Sequence, residues 1–355
     1  MLDYFLRRFS MTLNKTESPI HILSTRLLTD VQKAMLMAAT PRAHISQAAG
    51  KTESDIEQVL TSDIEVLFCG RGSFSIGAAT GLKWVQAENA GVDHFHGTEI
   101  WRSSVQLTSA NGAHTPQMPE YVLAHMLARA YKLPLSQEFH VKQIWGGDEH
   151  RVRFTPNELR RQTLGIVGYG AIGREIARLA KAFGMRVLAT QRNKKASTQY
   201  DGYTAPGTGD PAGSLPDAYF AMSELEALLR QSDVVILLVP LTQATRQLIG
   251  AAQLAQMKPT ALIINLGRGG LIDQQALIEA MNNGVIANAV LDVTDPEPLP
   301  NEHPLWRTPN VLITPHVAGL SDHYIDNVVR VFAENLRRYA IGEPLLNIVR
   351  RDLGY

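Results

Sequence analysis

Residues 163–182, TLGIVGYGAIGREIARLAKA, constrain the fold more than any other stretch of the chain. An apolar run with the character of a strand passes through Gly168, Gly170 and Gly173 into a helical pattern. In that context the first glycine permits a tight turn and the second lets backbone approach a pyrophosphate. The third lets helix and strand pack closely, and the helix N-terminus attracts the phosphates. The pattern predicts a strand-turn-helix unit that holds a dinucleotide through Gly168, Tyr169, Gly170, Ala171, Ile172 and Gly173.

Beyond residue 182 the chain repeats the alternation. RVLAT (186–190), VVILLV (234–239), ALIINL (261–266), ANAVLD (287–292) and NVLIT (310–314) are nearly continuous apolar runs, as expected of parallel strands covered on both faces. Helical segments separate them. Ser223 with Glu226 reads as a capping box, and Asp273 as the cap of a helix that ends before Gly284. A first alternation, with strands at 20–25, 64–69, 82–88 and 105–110, precedes a helix at 118–130, and a final helix near 322–340 is expected to pack back on that first part. The fold class expected is therefore α/β, with two Rossmann-like domains built on doubly wound parallel sheets. Residues 1–116 plus 317–355 form a substrate-binding domain and residues 117–316 a dinucleotide-binding domain. The stretch 193–220, rich in Gly, Pro, Ser and Thr, reads as a surface insertion.

The end of the strand at 186–190 bears on which nucleotide fits. A site for NAD usually carries Asp or Glu there for the ribose 2′-OH. Here Gln191 occupies the position, followed by Arg192, Lys194 and Lys195, a neutral residue and cations suited to a 2′-phosphate. NADP is favoured over NAD.

Three later stretches supply reactive groups: NLGRGGLID around Arg268, LDVTDPEPLP around Glu297 and ITPHVAGL around His316. Reduction of a 2-oxo acid needs its carboxylate anchored, its carbonyl polarised and a proton delivered as hydride arrives. Arg268 offers a planar fork for carboxylate and carbonyl oxygens together. His316 can deliver the proton, since an imidazole titrates at about 6.5. Glu297, accepting from the other ring nitrogen, would fix the tautomer and stabilise the imidazolium. All three follow predicted parallel strands, on the side where open α/β sheets bind ligands.

With LKWVQAENAGVDHF, GIVGYGAIGREIARLAKAFGM, INLGRGGLID, LDVTDPEPLPNEHPLW and ITPHVAG in place, the chain resembles the NAD(P)-dependent D-isomer-specific 2-hydroxyacid dehydrogenases from about residue 64 to 340. The resemblance implies catalytic roles for Arg268, Glu297 and His316, a cofactor contact at Asp292, and a substrate-carboxylate loop at Gly70 to Ser73, with Arg71, Gly72 and Ser73 as its contacts. It further implies a homodimer paired through the nucleotide domains and a cleft between domains. EPLPxxHPLW and the Gln191–Arg192 pair resemble the glyoxylate and hydroxypyruvate reductase branch; Thr294 stands where many relatives have Phe. Two other readings share the scaffold: a nucleotide-sensing corepressor-like binding protein, and a formate or phosphite dehydrogenase.

Composition sets the remaining bounds. Lys plus Arg equals Asp plus Glu at 34 each, so no overall field favours nucleic acid or an anionic membrane. No apolar run spans a bilayer, and a single cysteine, Cys69, excludes internal disulfides, which suits the cytoplasm. The pair His94 and His96 lacks the companions of a metal site, and none is expected. The segment MLDYFLRRFSMTL lacks an apolar h-region and contains Asp3, and it reads as a disordered or peripheral extension, with Met11 as an alternative start.

Overall fold

The computed structural model describes residues 18–48, 52–191 and 200–354. The N-terminal extension and residues 192–199, which include Arg192, Lys194 and Lys195, lie outside the described residues. The chain divides into two compact units: residues 1–114, 201–203 and 321–355, and residues 115–200 and 204–320.

The first unit holds a five-stranded parallel sheet of β1 (Ile20–Ser24), β2 (Ala43–Gln47), β3 (Val66–Cys69), β4 (Trp84–Ala87) and β5 (Gln106–Thr108), in the order β2-β1-β3-β4-β5. Every residue of β3 and β4 is buried, because helices cover both faces. The helix Tyr324–Ala340 supplies one cover. Its Phe332 stacks on Phe68 at 4.9 Å between centroids and meets Trp84 edge-on at 5.3 Å. Behind the rings the fully buried Asn335 amide donates to Gln86 Oε1 (3.1 Å) and accepts from the Leu346 N–H (2.8 Å). The final helix thus packs on the first unit, as its sequence predicts.

The second unit holds β6 (Thr163–Val167), β7 (Arg186–Gln191), β8 (Ala218–Ala221), β9 (Val234–Leu237), β10 (Leu262–Asn265), β11 (Asn288–Leu291) and β12 (Val311–Ile313). Their order is β12-β11-β10-β9-β6-β7-β8, all parallel, so the winding reverses between β6 and β9. The helix Ala171–Ala182 buries Ile176, Ala177 and Ala180 on this sheet. It closes at Gly184, whose φ of +75° lets Met185 N–H return to the Ala180 carbonyl at 3.1 Å.

Several expectations need correcting. β2 and β8 were not expected as strands; both are edge strands, paired on one side and only partly buried, β2 (AHISQ) without a continuous apolar run and β8 (AYFA) a run of only four residues after a Gly- and Pro-rich stretch. β8 takes up residues 218–220 of the supposed insertion, and Tyr203 and Asp210 within it are buried, so it is not a simple surface loop. The helix expected to start with a Ser223–Glu226 box starts earlier. Glu224 reaches back to accept from the Ala221 N–H at 2.9 Å, so a short 3-10 turn (Met222–Glu224) leads directly into Leu225–Gln231. Asp273 does cap Gln274–Asn282, accepting from the Ala276 N–H at 3.1 Å. Among the described residues no helix is long and apolar enough to cross a membrane.

Candidate active site

The glycine-rich turn sits at the carboxyl end of β6, beside the point where strand order reverses, which is where open α/β sheets bind ligands. Gly168 has φ +106°, and a Cβ there would lie 2.9 Å from the Leu238 carbonyl carbon and the Val239 nitrogen. A Cβ on Gly173 would lie 2.6 Å from the Gly168 carbonyl oxygen, so helix and strand touch backbone to side-chain-free backbone. Gly170 differs from both. Its φ of −88° suits any residue and a Cβ would meet nothing within 4 Å, so the absent side chain leaves open space ahead of the N-terminus of the Ala171–Ala182 helix. That open cradle fits a pyrophosphate. Thr190 Oγ1 of β7 accepts from the Gly168 N–H at 3.0 Å, and Ala171 and Ile172 begin the helix behind the turn. Gln191 ends β7, half-buried.

Arg268, Glu297 and His316 follow three adjacent strands, β10, β11 and β12, all pointing the same way. Each turn has its own scaffold. The buried Asn265 side chain accepts from the Gly267 N–H (3.1 Å) and donates to the Arg268 carbonyl (2.9 Å). A Cβ on Gly267 would come 2.9 Å from the Val239 oxygen, and one on Gly269 would strike the Thr294 carbonyl. Arg268 is therefore presented, half-buried, between two positions that accept only glycine, and its Nη1 donates to the Gly267 carbonyl at 2.8 Å. Thr294, buried, donates from Oγ1 to the Pro296 carbonyl at 2.9 Å and shapes the turn before Glu297.

His316 Nδ1 lies 2.5 Å from Glu297 Oε1, both side chains roughly half-exposed at 52% and 40%. His316 takes φ +53°, a conformation a non-glycine residue enters only where surroundings hold it. Asp292, at the end of β11 and buried, does so. Its carbonyl accepts from the His316 N–H at 2.9 Å, while its carboxylate accepts from Thr314 Oγ1 (2.6 Å) and from the Val317 and Ala318 N–H groups (2.9 Å each). Tyr121, on the helix Gln117–Ala130, shares a 2.6 Å hydrogen bond with Thr314 Oγ1 and meets the His125 ring edge-on. Burial raises the Tyr121 hydroxyl above the ordinary phenol range, with the Asp292 charge adding to it against the Thr314 hydrogen bond; burial lowers His125. Both are thus neutral near pH 7. Sequence reasoning placed Asp292 as a cofactor contact and missed its work on the His316 loop, for which the only signal was the spacing between Asp292 and ITPH.

Arg71, Gly72 and Ser73 belong to the first unit, just past β3 and next to that sheet's own reversal between β1 and β3. A Cβ on Gly72 would run into the Phe95 ring. Ser73 Oγ donates to Glu53, and Arg71 is exposed. His94 and His96 go to separate partners, Asn89 and the Gly354 carbonyl, and among the described residues no group of three metal-ligating side chains gathers. Cys69 is fully buried, and burial pushes its thiol far up, so it carries no nucleophile. Trp306 Nε1 donates to the Pro300 carbonyl at 2.9 Å.

Known proteins bear on this arrangement. The profile described as D-isomer specific 2-hydroxyacid dehydrogenase, NAD binding domain, matches residues 123–318. A glyoxylate reductase of Aeropyrum pernix is 33% identical over 279 residues, covering 77% of each chain. The crystal structure of a D-isomer specific 2-hydroxyacid dehydrogenase family protein from Aeromonas salmonicida superposes with a TM-score of 0.73 at 31% identity, over 95% of this chain and all of the other. An NADPH-dependent glyoxylate/hydroxypyruvate reductase from Sinorhizobium meliloti, solved with NADP and sulfate, superposes with a TM-score of 0.72 at 26% identity, over 96% of this chain and all of the other.

Proposed function

The chain belongs to the D-isomer-specific 2-hydroxyacid dehydrogenase family and is an NAD(P)-dependent oxidoreductase, and from that premise we propose that it reduces a small 2-oxo acid of the glyoxylate or hydroxypyruvate type, with NADPH preferred. The observation that carries this reading is the His316–Glu297 pair at 2.5 Å on a strand end beside that of Arg268. Glu297 holds Nδ1, so Nε2 is the nitrogen that gives its proton to the carbonyl oxygen as the alcohol forms. Glu297 then stabilises the imidazole in its proton-bearing form for the next cycle. Arg268 grips the substrate carboxylate and polarises the ketone with one planar group. When bound, the nicotinamide supplies the hydride that reduces the carbonyl carbon.

Gln191 gives a 2′-phosphate no carboxylate to repel it, and Arg192, Lys194 and Lys195 come next in the sequence with cations that attract one. The NADPH-dependent Sinorhizobium neighbour supports the same choice of cofactor and of substrate. The protein acts in the cytoplasm as a homodimer. The dimer forms on the second unit, where Leu133, Val141, Val152 and Trp145 expose large apolar surface and Trp145 is 97% exposed.

The test is a panel of glyoxylate, hydroxypyruvate, pyruvate and phenylpyruvate with NADPH and NADH, on wild type and His316→Asn. Asparagine is chosen because it tolerates the positive φ at this position. The expected outcome is a higher kcat/KM for glyoxylate or hydroxypyruvate with NADPH, and a fall of about 10²–10⁴-fold in kcat in the variant. Unchanged turnover in His316→Asn would sink the acid assignment, and a wild-type preference for NADH would sink the cofactor assignment.

A further inference from the structure

The stretch after β7 is bonded to the glycine-rich turn through a buried carboxylate. Tyr169, between the first two glycines, donates its hydroxyl to Asp210 Oδ2 at 2.7 Å. Asp210 is only 5% exposed, and the Leu215 and Ser214 N–H groups also donate to its carboxylate, at 2.9 and 3.0 Å. Arg174, in the helix that the turn opens, is 6% exposed and donates to the Asp210 carbonyl at 2.5 Å. Its guanidinium lies over the Tyr169 ring at 4.7 Å and over the Tyr200 ring at 5.1 Å. One residue earlier in the segment, the Gly209 N–H donates to Glu175 Oε2 at 2.5 Å, and Tyr219 of β8 meets Tyr169 edge-on at 5.6 Å. Tyr169 is thus held by a hydroxyl bond, a cation over its face and an aromatic edge, all from groups that do not themselves belong to the turn.

A dinucleotide turn works by aiming successive peptide N–H groups at a pyrophosphate, and its second position needs no particular side chain for that. Here that position carries a tyrosine whose far end is fastened to a segment that reads as a mere insertion. Fastening the side chain restricts the peptides on either side of it, and a site ordered before binding loses less entropy when the ligand arrives. A bare carboxylate beside an anionic ligand would oppose binding. Asp210 avoids this because Arg174 lies against it and its lone pairs are already taken. Burial alone would raise the Asp210 carboxyl, yet the Leu215, Tyr169 and Ser214 hydrogen bonds and the Arg174 charge outweigh burial and hold it below the usual range.

We propose that residues 204–217 form a clamp on the glycine-rich turn in which Asp210 acts as a positioning residue for the dinucleotide, through Tyr169. The inference rests on the reading that this turn holds NADPH. Titration calorimetry of the full chain with NADPH, on wild type, Tyr169→Phe, Asp210→Asn and the double variant, tests it. Each single variant should weaken binding about five- to ten-fold, and the double variant no further than either, because one contact is lost in all three. In Asp210→Asn the KM for NADPH should rise while kcat is kept. Equal Kd in wild type and Tyr169→Phe would overturn the clamp; that variant leaves Asp210 its Ser214 and Leu215 donors and so decides the question even where Asp210→Asn fails to fold. Losses that add in the double variant, or a kcat that falls with KM unmoved, would also overturn it. A wild-type chain that binds neither NADPH nor NADH would instead remove the dinucleotide reading itself.

Discussion

Holding His316 at φ +53° costs about 1–2 kcal/mol relative to an ordinary conformation, and the Asp292 carbonyl and carboxylate supply the bonds that keep it there. The result is a ring whose Nδ1 meets Glu297 at 2.5 Å. Glu297→Gln keeps a hydrogen-bonding side chain but removes the charge that favours the imidazolium. Turnover should therefore fall about ten-fold while the KM for the cofactor holds. Unchanged turnover in Glu297→Gln would contradict the pairing. At this scale the sequence reveals groups whose chemistry is intrinsic: an arginine fork, an imidazole, a carboxylate after a strand. It hides groups whose role comes from a partner far along the chain. Tyr121 on Thr314 and Tyr169 on Asp210 are ordinary tyrosines until the fold brings their partners to them.

Among the described elements, the inner strands are legible, as are the edge strands β5 and β12, whereas the edge strands β2 and β8 are not. β3, β4, β6, β9 and β10 bury every residue, whereas β2 (AHISQ) mixes polar and apolar residues and β8 (AYFA) is a four-residue run at the end of a Gly- and Pro-rich stretch. The same logic makes the helix Tyr324–Ala340 legible, since it must cover a sheet face. Phe332 carries much of that cover, fully buried against Phe68 and Trp84. Phe332→Ala should destabilise the first unit by about 3–5 kcal/mol, the usual cost of an aromatic cavity. Urea unfolding followed by near-ultraviolet circular dichroism measures it, and a change below about 1 kcal/mol would show that the ring is not central to that core.

For the whole molecule, the parallel character of both sheets was legible from the alternation of strand and helix, because parallel neighbours demand a crossover each time. The return of residues 201–203 to the first unit was not, since nothing in a Gly- and Pro-rich stretch shows which core it will join. Assembly is testable at this scale. Trp145→Asp should halve the mass seen by light scattering, because a buried carboxylate in an apolar interface has no partner; a wild-type monomer would end the dimer proposal. The helix that covers Phe68 and Trp84 lies beyond residue 320, after every segment of the second unit. On a ribosome, then, the second unit has its complete set of strands while β1 to β5 still await the residues that shield them. Of the two units, the one whose synthesis begins first is the last to be finished.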